Sequence, residues 1–322
     1  WQNGRWAFLD HLAIPPENPE QARIEVHMLN GEYRSAAFNL SNATPEDMTV
    51  TVAFDGLPGA PMPPYIEVHE VAWTDTASGI PVASALPPAA RTEAGWRVHV
   101  PAGLTRQVWL TFHPNELAPR PYRAHRGRLL LGTPAGARTL PIKLYLYPLQ
   151  FPEQPTLRLG GWDYVNGSGH RGVTPENRDA LVAFLQKHFV SAPWATNGVI
   201  PKGAHGEDGT MATPPDTTDF DEWAALWPDA AGYYIFAAVR SRFLSWNMDT
   251  PEFTRAVGDW ARFWAGHAKE KGIDPEKVYL LLVDEPHAPE QDATILAWAK
   301  ALGEADTGLQ IWEIGRASCR ER

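Results

Sequence analysis

The sequence has almost no cysteine. Its single thiol, Cys319, falls in a closing stretch at 315–322 that lacks periodicity and reverses the acidic trend of the rest, and it is read as a cloning or adaptor scar. Without that residue, disulfides and cysteine-based metal or nucleophile chemistry are excluded. Long apolar runs are missing too, since none approaches the ~18 residues that a membrane-spanning helix needs. No basic block offsets the formal net charge of -10, so the electrostatic footprint of a nucleic-acid binder is lacking and a neutral substrate fits better. The 11 histidines are scattered without an i, i+4 pair joined to a nearby acid, so a bound metal is not expected. Before the first strand there is no charged segment followed by an apolar one, and an export signal is not visible.

What is present is ample material for a core. The chain has 322 residues, 44% of them hydrophobic, more than the ~100–200 of one domain, and two domains are expected. Its 14 tryptophans are a heavy load, and indole faces serve cores as well as the apolar faces of sugar rings. From 22 to 147 the apolar residues alternate, as in Ile24, Val26 and Met28, then Val50, Val52 and Phe54, then Val108, Leu110 and Phe112. Period two means strands with one buried face. Turn signals such as Asn30-Gly31 and Asp55-Gly56 separate them at the intervals of an antiparallel β-sandwich, expected over 22–150.

After Pro155 the rhythm becomes strand, loop, helix. Short strands are predicted at 157–162, 189–194, 233–238, 278–283 and 309–313. Helices are predicted after Thr174-Pro175, after Thr250-Pro251 and over about 289–302, with a long irregular insertion between the second and third strands. Repeated strand-helix units imply a parallel sheet, and 151–313 is read as a truncated (β/α)8 TIM barrel whose closing strands are missing. An open doubly wound sheet is the alternative.

The run Val278 to Val283 ends in Asp284-Glu285-Pro286, and proline cannot continue the ladder. Both acids are therefore expected at the carboxyl end of a barrel strand, where barrels keep their active sites. Glycoside hydrolysis needs a carboxylic acid to protonate the leaving oxygen, and Glu285 suits that role. Adjacent residues stand on one side of a substrate, so Asp284 is badly placed as nucleophile. The nucleophile is then a carboxylate beyond the sequenced strands, or the substrate's own 2-acetamido oxygen, with Asp284 accepting the acetamido N–H. Trp162, Asp163, Trp194 and Trp312 are expected to end neighbouring strands and to line the same rim as substrate contacts, and His287 stands beside the pair. Two competing motifs fail. The strand ending in Asp-Glu-Pro suggests a Walker B element, but no P-loop accompanies it. Gly167 to Gly172 formally matches G-x-G-x-x-G, but no acid closes the next strand. A solvated strand end, a helix cap or an inert carbohydrate-binding protein are the plainer alternatives.

The segments LNGEYRSAAF at 29–38, QVWLT at 107–111, LGGWD at 159–163 and YLLLVDEP at 279–286 together resemble glycoside hydrolase family 123 over nearly all of 22–313. The resemblance implies a substrate-assisted retaining β-N-acetylgalactosaminidase acting on a glycan, without cofactor, with the family's acid pair at Asp284 and Glu285. A secreted or periplasmic location would suit such an enzyme.

Overall fold

The computed structural model describes residues 22–118, 124–167 and 172–313. The expected scar with Cys319, and residues 168–171 of the glycine-rich loop, lie outside the described residues. The chain divides between Glu153 and Gln154 into two compact units. No described helix is long and apolar enough to cross a membrane.

Among the described residues, the elements of the first unit are all strands: β1 (Ile24–Asn30), β2 (Arg34–Ser41), β3 (Met48–Asp55), β4 (Ile66–Glu70), β5 (Ala72–Thr74), β6 (Val82–Ala85), β7 (Ala90–Thr92), β8 (Gly95–Val100), β9 (Thr105–Phe112), β10 (His125–Thr133) and β11 (Gly136–Gln150). A six-stranded sheet has the order β1-β11-β10-β3-β8-β7, and a three-stranded sheet the order β2-β9-β4. The alternating residues Ile24, Val26, Val50, Val52, Val108 and Leu110 are all buried in one apolar cluster to which both sheets contribute. Burial of each such side chain is worth about 1.5–3 kcal/mol, which is why the period-two pattern selects this pairing register. One pair departs from the antiparallel expectation: β1 runs parallel to β11, with Val26 opposite Leu144.

The second unit mixes helices with short strands: α1 (Arg178–Lys187), β12 (Trp194–Thr196), β13 (Ala204–His205), β14 (Met211–Thr213), α2 (Thr218–Ala225), β15 (Tyr233–Phe236), β16 (Arg242–Phe243), β17 (Trp246–Asn247), α3 (Pro251–Glu270), β18 (Val278–Leu281), α4 (Pro289–Ala305) and β19 (Gln310–Ile311). The main sheet has the order β12-β15-β18-β19, with every pair parallel. Successive strands are neighbours, without the reversal of order that marks a doubly wound sheet. Among the described residues this sheet is open, and no closed barrel is formed.

The strand predicted at 157–162 is reduced to a bridge between Leu159 and Val190, with the Leu159 carbonyl accepting from the N–H groups of Ser191 and Ala192 at 2.9 and 3.0 Å. Gly160 explains the close approach, because a Cβ there would lie 1.8 Å from the Ala192 carbonyl oxygen. The next strand begins only at Trp194, after Pro193, which has no N–H to pair. Helix α1 likewise starts later than Thr174 suggests. Asn177 accepts from the Thr174 N–H at 2.8 Å and donates to the Gly172 carbonyl at 2.8 Å, tying the preceding residues into a turn.

Helix α3 forms as its signals require, with Pro251 in the first turn and the Thr250 hydroxyl accepting from the Phe253 N–H at 3.3 Å. Its buried stripe of Phe253, Val257, Trp260 and Trp264 packs with Ile235, Val278 and Leu280 from one face of the sheet. Helix α2 arises inside the expected irregular insertion. Buried Phe220 and Trp223 hold it there by tertiary packing, which a sequence pattern of eight residues cannot display.

Candidate active site

Strand β18 ends at Leu281, and the chain continues through Leu282 and Val283 to Asp284 and Glu285, both exposed to solvent. Glu285 has φ of +46°, a left-handed backbone that a residue with a Cβ adopts only where surrounding structure imposes it. The corner is fixed on its far side by Gln291, whose side-chain oxygen accepts from the N–H groups of His287 and Ala288 at 2.8 and 3.0 Å. Gln291 thus caps α4, and neither acid is spent on that task. His287 turns its Nδ1 to within 2.8 Å of the Glu285 carbonyl oxygen on the exposed side of the corner.

Glu313, just past β19, is the residue that sequence reasoning passed over because it adjoins the closing stretch. Its Oε1 accepts from the Leu282 N–H at 2.8 Å and the Val283 N–H at 3.1 Å, in place of a further turn of the sheet ladder. Its Oε2 is buried with no hydrogen-bond partner among the described residues. Burial holds the Glu313 carboxyl above the ordinary glutamate value. The two N–H donors pull the other way, and the negative charge of Asp284 adds to the rise. Three carboxyl groups therefore collect at the carboxyl ends of two adjacent parallel strands, two of them exposed and one sequestered behind them.

Of the four other predicted contacts, the three tryptophans gather on one face of the sheet, and Asp163 is hydrogen-bonded to the backbone of Trp194. Trp194 opens β12 instead of ending a strand, in register with Tyr234, which pairs with Tyr279 in turn, and it is 4% exposed. The rings of Trp162, Trp194, Tyr234 and Tyr279 stack successively with centroid spacings of 5.1, 5.5 and 4.5 Å, and Trp312 meets Trp194 edge-on at 5.2 Å. These aromatics cover the sheet face opposite α3 and α4, because side chains alternate faces along a strand. Trp162 and Trp312 stay partly exposed, whereas Trp194 is filler between them. Asp163 accepts from the Trp194 N–H at 3.0 Å, and Asn166 both accepts from the Thr196 N–H at 3.1 Å and donates to its hydroxyl at 3.0 Å. Side-chain oxygens thus stand in for a ladder partner along this edge of β12.

The sheet end next to the acids opens into a cleft of about 500 Å³ between the segments that follow β12 and β15. Asp284 and Glu285 do not line it. The Val239 N–H donates to the Leu282 carbonyl at 2.9 Å, so the segment forming one wall runs alongside the residues that lead to the acid pair. Among the described residues no group of three or more histidine, cysteine, aspartate or glutamate side chains is arranged to hold a metal.

In the second unit, consecutive parallel strands thus carry carboxyl groups at their carboxyl ends. A solved family 123 glycoside hydrolase from Clostridium perfringens, studied for glycolipid glycan hydrolysis, superposes with a TM-score of 0.57 at 10% identity, covering 91% of this chain and 59% of that one. This is a likeness of fold, and the chain spans about three-fifths of that enzyme's length. The CupB2 chaperone of Pseudomonas aeruginosa covers 40% of this chain at 12% identity with a TM-score of 0.25. No protein-family model and no curated protein matches the sequence.

Proposed function

We propose that the protein is a glycoside hydrolase that removes a terminal β-linked N-acetylhexosamine, similar to N-acetylgalactosamine, with retention and with the substrate's acetamido group as nucleophile. In this scheme residues 22–150 form a supporting β-sandwich domain and 151–313 the opening strands of a (β/α)8 barrel. The observation that carries it is the exposed Asp284-Glu285 corner at the carboxyl end of β18, with Glu285 on left-handed backbone. The fold likeness to a family 123 enzyme supports the same reading.

Glu285 gives its proton to the glycosidic oxygen as the acetamido oxygen attacks the anomeric carbon and the carbon–oxygen bond to the leaving group breaks. Asp284 accepts the acetamido N–H, directing that oxygen and balancing the positive charge that grows on the ring being formed. Water then adds to the anomeric carbon, Glu285 as carboxylate takes its proton, and the acetamide is released. Glu313 acts as a positioning residue, since its hold on Leu282 and Val283 sets the direction in which Asp284 leaves the sheet. Trp162 and Trp312 offer partly exposed indole faces to the sugar, while Trp194 and Asp163 shape the wall behind them.

An aryl β-N-acetylhexosaminide and a thiazoline that mimics the cyclised intermediate test this. Turnover is lost in Glu285→Gln and the thiazoline binds far more tightly than the sugar. Undiminished turnover in that variant rejects the assignment. Glu285-dependent turnover without thiazoline binding points instead to a two-carboxylate enzyme.

A further inference from the structure

The cleft between the segments after β12 and β15 inverts the charge of its surroundings. Its lining carries Lys202, Arg240 and Arg242 and, among the described residues, no acid, in a chain whose formal net charge is -10. Surface cations are ordinarily answered by a nearby carboxylate or by bulk water. Neither Lys202 nor Arg240 has an ion pair among the described residues. The Lys202 ammonium instead lies 5.0 Å from the centre of the Phe243 ring, and loss of water around it lowers its pKa from the ordinary lysine value. Such a cation gains most from an anion, because the interaction lost with water is restored at short range.

The cations also stand on backbone that is held in advance. Trp298 donates from Nε1 to the Arg240 carbonyl at 2.9 Å, and Trp260 donates to the Pro201 carbonyl, one residue before Lys202, at 3.1 Å. Arg242 is oriented by its Nε, which donates to the Asn247 side-chain oxygen at 2.7 Å. Two lining residues without the freedom of glycine, Ala238 and Leu244, have φ of +49° and +51°. Left-handed backbone of this kind concentrates at ligand sites, where surrounding packing enforces it. The indoles spend their polar atoms on these carbonyls, so the floor they leave is apolar and suited to a sugar face.

We propose that this cleft binds an oxyanion carried on a saccharide, a sulfate or a carboxylate, so that the substrate is an anionic glycan although the chain as a whole is acidic. The oxyanion site stands on its own residues, and only the claim that the anion belongs to the substrate rests on the hydrolase reading. The Val239 to Leu282 hydrogen bond supplies the continuity between cleft and acid corner along two adjacent strand ends.

Titration calorimetry on the whole chain, at fixed ionic strength, compares N-acetylgalactosamine with its 4- and 6-sulfates and with glucuronic acid. At least one anionic sugar is expected to bind about tenfold or more tightly than the neutral one, with an advantage that shrinks as sodium chloride is raised. Lys202→Gln combined with Arg240→Gln removes the advantage, and the milder Lys202→Met alone reduces it should the double variant fail to fold. Asp284→Asn and Glu285→Gln leave it intact. Equal or absent binding of the anionic sugars, or an advantage that survives in the folded double variant, overturns the proposal. Anion preference kept in a protein without glycosidase activity rejects the hydrolase reading alone.

Discussion

The Oε1 atom of Glu313 lies 3.1 Å from the backbone nitrogen of Val283, so a carboxyl on one strand end grips the chain immediately before Asp284 on the next. Its geometry resembles a sheet ladder extended by a side chain. The consequence is a titratable group inside the framework of the acid corner.

The Glu313 pKa is raised in the folded chain, so between the ordinary value of 4.5 and the folded value the native state holds more protons than the unfolded state. Stability contributed by this group is therefore full below 4.5 and is lost as pH rises through the folded value. Glu313→Gln keeps an oxygen for both N–H groups and removes the charge. Melting curves from pH 4 to 8 should show a shallower decline for this variant than for the parent. An equal decline in both would place the proton elsewhere. Glu313→Ala, by contrast, leaves two N–H groups unanswered and is expected to cost about 1–3 kcal/mol.

Glu285 has φ of +46°. Replacing it by glycine relieves a backbone strain of about 1 kcal/mol, so Glu285→Gly should raise the denaturation midpoint while ending turnover. Glu285→Ala, which keeps the Cβ, should end turnover without that gain. If both variants melt alike, the corner is not strained.

At Gly160 a Cβ would come within 1.8 Å of the Ala192 carbonyl oxygen, so backbone has to move. Gly160→Ala is expected to destabilise by about 3 kcal/mol and to loosen the Leu159 bridge. Gly266→Ala, in the open on α3, should instead be neutral or slightly stabilising, and denaturant titration of the two variants checks the contrast.

Several features of this chain were legible without coordinates. The alternation of Val50, Val52 and Phe54, the Thr250-Pro251 helix start and the unbroken apolar run into Asp284 are local patterns whose period or cap has one stable outcome. Other features were not. Leu159 had the apolar neighbours of a strand, but Gly160 and Pro193 limit the pairing to a bridge, and that depends on which backbone lies opposite. Trp194 was expected to end a strand, whereas its register, known only from its neighbours, makes it the opening residue of β12.

By itself, then, the order of residues determined the alternating strands of the first unit, the start of α3 and the apolar run that leads to adjacent acids, because hydrogen-bond periodicity and burial act over a few residues. Only the tertiary structure brought Glu313 against Val283, ran β1 parallel to β11, and gathered Lys202, Arg240 and Arg242 around one cleft. Those relationships join residues distant in sequence through packing and Coulomb forces, which depend on distance in space and leave no mark on spacing along the chain.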